Sequence, residues 1–98
     1  MSEISALELK ALIDSQNAPY ILDVRERMEY YSYNIGGTLI PLGVLPNQLD
    51  ELPENVHLEI VVVCQKGLRS RTAQKILIQA GYTNVKNLKG GLSAFHRI

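Results

Sequence analysis

The chain has 98 residues, of which 46% are hydrophobic and 20% are charged. This composition is typical of a globular protein, and the length predicts a single domain spanning residues 1–98. Ten basic and ten acidic side chains give a formal net charge of zero, which excludes the broad positive surface expected of a nucleic-acid-binding domain. The single cysteine excludes an internal disulfide and a cysteine-rich zinc site, and the two distant histidines make a poor metal-ligand set. We therefore expect no metal site.

The N-terminal sequence Met-Ser-Glu-Ile-Ser lacks the basic flank and apolar run of a signal peptide. The longest apolar run is also far too short to span a membrane. We therefore expect a cytoplasmic protein with neither a membrane nor a nucleic acid as its partner.

The first half of the chain predicts alternating helices and strands. Ser5 and Glu8 have the spacing of a capping box, and apolar residues then line one face of a helix that ends near Asn17. The following segments are predicted as a strand at 20–24, a short helix within 25–33, a strand at 38–40 and a short helix at 45–52.

The second half predicts a buried strand followed by a helix and another strand. Residues 58–63 are mostly apolar and β-branched without alternation, which is typical of a parallel strand covered on both faces. Ser70 is predicted to cap a helix running to Ala80, with Ala73, Ile76, Leu77 and Ala80 on one face. A strand at 84–88 and a last helical turn after 90–91 complete the pattern. The alternation predicts an α/β fold with a central, mostly parallel sheet flanked by helices on both faces.

The strongest chemical signal is the loop that begins at Cys64. This cysteine follows the central strand at its carboxyl end, where open parallel sheets bind ligands. The loop leads into a helix N-terminus, whose free N–H groups and dipole favour an anion. Three cations, Lys66, Arg69 and Arg71, add positive charge. A lone cysteine is more often a small core residue, but this neighbourhood favours a nucleophilic thiolate.

The sequence Cys64-x-x-Gly67-x-Arg69-Ser70 resembles the active-site loop of the rhodanese-like sulfurtransferases. Residues 21–26, 34–42 and 81–92 resemble other motifs of that family, in the same order. The resemblance implies a single rhodanese-like domain with a five-stranded sheet. The loop is also similar to that of the rhodanese domains fused behind ubiquitin-activating-type adenylyltransferases, which implies a sulfur-carrier protein as a possible partner. Asn34 and Gly36 depart from the His and Pro of many members, and Phe95 stands near the position of a common Trp.

The resemblance also implies a mechanism. Cys64 would take sulfur as a persulfide from a small anionic donor such as thiosulfate, or from a protein persulfide. An acceptor thiol, cyanide or a sulfur-carrier protein would then remove it, and no metal or organic cofactor is needed. Lys66 and Arg69 would attract the anionic donor. The terminal sulfur would be held by the backbone N–H groups of the loop residues Gln65, Lys66, Gly67, Leu68, Arg69 and Ser70.

The remaining polar and aromatic residues receive structural interpretations. Asp23 and Arg25 are interpreted as a pair that supports the fold near the site, because a buried charge needs a partner. His57 precedes the central strand, at the end opposite Cys64, which argues against a Cys–His dyad. His96 is interpreted as a surface residue. The tyrosines at 30, 31 and 33 are expected to pack against the fold. The alternative is that they form a surface that contacts another protein.

Two other functions are considered. Phosphatases that share this fold place an arginine six positions after the cysteine, whereas Arg69 lies five positions after Cys64 and Ser70 occupies the sixth. The shorter loop predicts a pocket for one sulfur and not for a tetrahedral phosphate. A non-catalytic docking module is the third possibility, but such domains often lose the cysteine that this chain retains.

Overall fold

Five strands form one sheet at the centre of the computed structural model, which describes residues 2–98. All neighbouring strands run parallel, in the order β1-β5-β4-β2-β3. This arrangement confirms the predicted α/β class and the parallel sheet. The strands are β1 (Glu3–Ile4), β2 (Tyr20–Asp23), β3 (Thr38–Leu39), β4 (Ile60–Val63) and β5 (Val85–Leu88).

Helices cover both faces of this sheet. They are α1 (Ala6–Asp14), α2 (Arg27–Ser32), α3 (Leu68–Gln79) and α4 (Gly91–His96), with two single-turn 3-10 helices at Leu45–Asn47 and Leu49–Glu51. The central strand β4 divides its side chains between two hydrophobic clusters, as its unbroken apolar run predicts. Ile60 and Val62 pack in the cluster that contains Leu77 of α3. Val61 and Val63 pack in the cluster that contains Leu9 of α1.

The capping box at the start of α1 is present. The Glu8 N–H donates to Ser5 Oγ, and the Ser5 N–H donates to Glu8 Oε1, each at 3.0 Å. Two expectations about the N-terminal half are modified. The edge strand β1 was not predicted, because two residues carry no detectable alternation. The predicted helix at 45–52 is instead two 3-10 helices, separated at Gln48, where φ is −128°.

The start of α3 also differs from the prediction. The helix begins at Leu68, and Gly67 precedes it as the N-cap with φ of +95°. The prediction that Ser70 caps this helix is therefore wrong. Ser70 lies within the first turn and is buried, because its hydroxyl faces the interior. Ala80, predicted on the apolar face, is exposed beyond the end of the helix.

No helix in residues 2–98 has both the length and the hydropathy needed to cross a membrane.

Candidate active site

Cys64 lies directly after β4, with 1% of its surface exposed. Two backbone groups donate to its sulfur, one at the end of the following loop and one in the first turn of α3. The Gly67 N–H is 3.0 Å from Cys64 Sγ, and the Ser70 N–H is 3.3 Å from it. The loop therefore curls around the sulfur and presents donors to it. Donors of this kind stabilise a thiolate more than a thiol.

The loop holds this shape because three of its carbonyl groups accept hydrogen bonds from α4 and β5. The first turn of α4 supplies two donors: the Leu92 N–H bonds to the Cys64 carbonyl at 2.9 Å, and the Ser93 N–H bonds to the Gln65 carbonyl at 3.0 Å. Asn87 Nδ2 donates to the Gly67 carbonyl at 3.1 Å. In a trans peptide the N–H points opposite to the carbonyl. The next N–H groups therefore point away from α4 and β5.

Gly91 makes this close approach of α4 possible. Its φ is +63°, and a Cβ atom at this position would lie 2.5 Å from the Gln65 carbonyl oxygen and 2.6 Å from that of Cys64. Any side chain would therefore push α4 away from the loop.

Four backbone donors of the loop and the first turn of α3 remain free. Within residues 2–98, the N–H groups of Gln65, Lys66, Leu68 and Arg69 have no hydrogen-bond acceptor. They lie at the N-terminal end of α3, where the helix dipole adds positive potential. The loop can therefore bind a further negatively charged atom next to the Cys64 sulfur.

A pocket of about 370 Å³ opens at this loop. Lys66 and Leu68 are exposed at the pocket, and Leu68 retains 69% of its surface accessible. The structure thus brings together at one surface most of the loop residues singled out from the sequence. The lining residues are Glu29, Cys64, Gln65, Lys66, Leu68 and Arg69.

Arg69 is bound to a carboxylate that the sequence analysis did not identify. Its Nη1 and Nη2 donate to the two carboxylate oxygens of Glu29 at 2.7 and 2.8 Å. The hydrogen bonds from Arg69 lower the pKa of Glu29 to about 2, and Glu29 in turn raises the pKa of Arg69. The charge of Arg69 is therefore largely neutralised, and Lys66 is the remaining cation that lines this pocket.

The third predicted cation does not reach the site. Arg71 lines a separate pocket with Glu3, Gln74 and Asn87. The expectation that Arg71 adds positive charge at the cysteine is wrong, because two residues after Arg69 the helix has turned this side chain to another side. Helical geometry rotates successive side chains by about 100° each.

Asp23 and Arg25 form an ion pair beside the site, at the carboxyl end of β2. Arg25 Nε is 3.0 Å from Asp23 Oδ1, and Nη2 is 2.8 Å from Oδ2. Both side chains are buried. The remaining Arg25 donors bind the carbonyl groups of Glu29 and Tyr33 at 3.3 and 2.6 Å. Neither side chain lines the pocket, and the pair attaches β2 to α2.

Ser70 and Asn87 complete the environment of the sulfur. Ser70 Oγ lies 3.2 Å from Cys64 Sγ and donates to Asn87 Oδ1 at 2.5 Å. Asn87 is 2% exposed and was not identified from the sequence. An asparagine within a predicted strand was the available signal, since a buried amide needs partners.

The histidines lie away from the sulfur. His57 Nδ1 is 2.8 Å from Thr83 Oγ1, before β4 begins. The exposed His96 ring packs edge-on against Tyr33, with 4.7 Å between centroids. The Tyr30 hydroxyl donates a hydrogen bond to the Gly37 carbonyl at 3.1 Å. Tyr31 is exposed, so the expectation that all three tyrosines pack against the fold is wrong for this residue. Within residues 2–98, no three His, Cys, Asp or Glu side chains are grouped so that they could hold a metal ion.

Comparison with known proteins finds relatives that align with nearly the whole chain. The family model described as Rhodanese-like domain matches residues 5–98. YrkF of Bacillus subtilis, named as a sulfur carrier protein, is 38% identical over 91 residues, which cover 92% of this chain and 48% of that protein. A sulfurtransferase of Allochromatium vinosum is 30% identical over 98 residues, covering 99% of this chain and 90% of that protein. The adenylyltransferase and sulfurtransferase uba4 of Ogataea parapolymorpha is 34% identical over 86 residues, covering 87% of this chain and 22% of that protein.

Solved structures show the same fold. The human single-domain sulfurtransferase TSTD1 superposes with a TM-score of 0.86 at 26% identity, covering 99% of this chain and 96% of that chain. Protein SSP1007 from Staphylococcus saprophyticus gives a TM-score of 0.85 at 30% identity, covering 97% and 93%. The chain spans about half of YrkF and a smaller part of uba4. These relatives support sulfur transfer in general, and the chain belongs to the rhodanese-like domain family.

Proposed function

We propose that this chain carries sulfane sulfur as a persulfide on Cys64. One observation carries the proposal: the single cysteine receives two backbone N–H bonds while four more N–H groups, within residues 65–69, are free. The two bonds favour the thiolate needed for attack. The free groups suit the negatively charged outer sulfur that attack would produce.

The transfer consists of two displacements. The Cys64 thiolate attacks the outer sulfur of the donor, so that a new S–S bond forms and the donor bond breaks with its electron pair on the leaving group. With thiosulfate, the leaving group is sulfite. An acceptor nucleophile then attacks the outer sulfur, and the electron pair of the S–S bond returns to Cys64. Each step balances without an added oxidant, metal or organic cofactor.

The proposed donors are thiosulfate and a protein persulfide, and the proposed acceptors are a thiol, cyanide and a sulfur-carrier protein. The names of YrkF and uba4 support a protein partner for sulfur. Lys66 would attract an anionic donor to the pocket. The cytosol keeps free thiols reduced, so we propose the cytoplasm as the site of activity, with residues 1–98 acting as one rhodanese unit.

Phosphate hydrolysis is the less favoured chemistry. A phosphoryl group needs donors for three oxygens, usually including an arginine fork. Here Arg69 is bound by Glu29, and the sixth position after Cys64 holds Ser70, which is buried behind the sulfur. The chain should therefore show no measurable hydrolysis of an aryl phosphate. Hydrolysis that is lost in Cys64→Ser would contradict this reading of the loop.

Intact-mass measurement tests the proposal directly. After thiosulfate treatment, the chain should gain the mass of one sulfur atom, and cyanide should remove that mass and release thiocyanate. Cys64→Ser should gain nothing, because Cys64 is the sole thiol. If the serine variant gains the same mass, or if the unchanged chain gains none from either thiosulfate or a small-molecule persulfide, the proposal is wrong.

A matched pair of glycine variants tests whether the loop geometry matters. Gly91→Ala places a methyl group against two loop carbonyls, whereas Gly36→Ala has a similar positive φ with no atom within 4 Å. Both variants should lose about 1–2 kcal/mol from backbone strain. Only Gly91→Ala should slow sulfur loading, by about tenfold or more, in stopped-flow or quenched mass measurements. Equal loading rates would show that the contact with α4 does not shape the site.

A further inference from the structure

Asn87 of β5 reaches the nucleophile through a single intermediate residue. Its side chain is buried and makes two bonds, one from Nδ2 to the Gly67 carbonyl and one from the Ser70 hydroxyl to Oδ1. Ser70 Oγ in turn lies 3.2 Å from Cys64 Sγ. The amide therefore contacts both the loop backbone and the hydroxyl that touches the sulfur.

The two bonds of Asn87 fix the position of the hydroxyl hydrogen of Ser70. Nδ2 can only donate, and it faces the Gly67 carbonyl, so Oδ1 must be the atom that faces Ser70. Oδ1 can only accept, so the single hydroxyl hydrogen of Ser70 lies on the short bond to Asn87. The Ser70 oxygen then turns a lone pair toward Cys64 Sγ. That contact is a hydrogen bond only when the sulfur carries a proton and donates it.

We propose that Asn87 is a positioning residue which, through Ser70, withholds a hydrogen bond from the Cys64 thiolate. The thiolate keeps its bonds from the Gly67 and Ser70 N–H groups, but the hydroxyl beside it remains bound to Asn87. A thiolate with fewer donors is a stronger nucleophile and a poorer leaving group. Asn87 thereby favours sulfur loading and slows sulfur release. This part of the inference rests on the proposed function.

The charged groups around the sulfur do not produce this effect. Glu29, Lys66 and Arg69 line the pocket, and the Asp23–Arg25 pair lies at the end of the neighbouring strand β2. None of them hydrogen-bonds to the side chain of Asn87 or Ser70. Glu3 and Arg71 line a separate pocket with Asn87, and replacing Asn87 or Ser70 by an uncharged residue removes none of these charges. Variants at these two positions therefore isolate the hydrogen-bond contribution from the electrostatic field.

The first experiment measures the pH midpoint of Cys64 alkylation by iodoacetamide, without any sulfur donor. Asn87→Leu should lower this midpoint by about one pH unit, because the released hydroxyl can donate to the thiolate. In a Ser70→Ala background the same Asn87→Leu change should have no further effect. Loop disturbance from losing the Nδ2 bond would appear in both backgrounds, so the difference between them measures the path through Ser70. An equal shift in both backgrounds, or no shift in either, would overturn the proposal.

Ser70→Ala alone decides the question if Asn87→Leu does not fold. Under the proposal, removing the Ser70 oxygen removes an acceptor for the thiol and a lone pair facing the thiolate, so the midpoint should fall. If Ser70 instead donates to the thiolate, the midpoint should rise. A midpoint that rises or stays unchanged would overturn the proposal.

A second measurement separates this inference from the proposed function. At a pH above both midpoints, Asn87→Leu should load sulfur from thiosulfate about threefold more slowly and release it to cyanide about threefold faster than the unchanged chain. If neither protein forms a persulfide, the proposed function fails while the alkylation result still stands. Persulfide formation with equal rates in both proteins would contradict the role of Asn87 in transfer.

Discussion

Two arginine–carboxylate pairs contact helix α2 or its end, and they differ in burial but have nearly the same N–O distance. Arg25 Nη2 is 2.8 Å from Asp23 Oδ2, with 2% and 0% of the two side chains exposed. Arg69 Nη1 is 2.7 Å from Glu29 Oε1, with 38% and 33% exposed. Because of this difference in burial, we expect loss of one partner of the Asp23–Arg25 pair to reduce stability, and loss of one partner of the Glu29–Arg69 pair to change the charge of the pocket.

The two pairs are connected through the helix. Arg25 donates to the carbonyl groups of Glu29 and Tyr33, near the C-terminal end of α2, where a positive charge is favourable. The Glu29 side chain of the same helix binds Arg69. The buried pair therefore holds in place the helix that supplies the pocket carboxylate.

The largest effect on stability is expected from Arg25→Met. This change leaves the buried Asp23 carboxylate without its counter-charge, although the backbone N–H of residue 25 still donates to Oδ1. It also removes the donors to the end of α2. The free energy of unfolding from urea titrations should fall by about 3–5 kcal/mol. A loss below about 1 kcal/mol would show that the buried pair is no more important for folding than a surface pair.

Asp23→Asn should destabilise the chain somewhat less, by about 2–4 kcal/mol. The amide oxygen still accepts from Arg25, but the charge that balances the guanidinium is lost. Because Asp23 does not line the pocket, the protein that remains folded should still load sulfur. Thermal melting together with intact-mass loading checks both points. Normal stability with abolished loading would contradict the structural interpretation of Asp23.

At the pocket, two variants should act in opposite directions on thiosulfate turnover. Arg69→Met leaves the Glu29 carboxylate unpaired and should raise KM for this dianion about fivefold. Glu29→Gln releases the charge of Arg69 and should lower KM by a similar factor. Lys10→Met, which breaks the exposed Lys10–Asp14 pair on α1, is the matched control. If both pocket variants change KM in the same direction, the charge argument fails.

The smallest expected effect is a pH dependence of stability from Glu29. The hydrogen bonds from Arg69 lower the pKa of Glu29 from its ordinary value of 4.5 to about 2. Its contribution is therefore fully present above pH 4.5 and is lost as the pH falls from 4.5 toward 2. The pair is one-third exposed, so this contribution should stay below about 1 kcal/mol.

The measurement is the difference in free energy of unfolding between the unchanged chain and Glu29→Gln. This difference should shrink as the pH is lowered through that window. A difference that stays constant from pH 6 to pH 2.5 would show that the Glu29 carboxylate gains nothing from Arg69 in the folded state.

The sequence by itself was sufficient for the features that depend on neighbouring residues. The capping box at Ser5 and Glu8 is a three-residue spacing, and the unbroken apolar run before Cys64 is the local pattern of a strand buried on both faces. The strand–loop–helix around the cysteine is likewise a local motif. Spacing alone therefore predicted the α/β class, the parallel sheet and the loop that begins at Cys64.

The tertiary structure decided which groups meet across long stretches of chain. Glu29 binds Arg69 from 40 positions away, and Asn87 binds Ser70 from 17 positions away. Arg71 is turned out of the site because α3 already begins at Leu68. Such pairings depend on how the sheet brings α2, α3 and β5 together, and no local pattern specifies them. The position of the nucleophile Cys64 could therefore be predicted from neighbouring residues in the sequence. The partners that set the charge and the hydrogen bonding around it, Glu29 and Asn87, could be identified only from the tertiary packing.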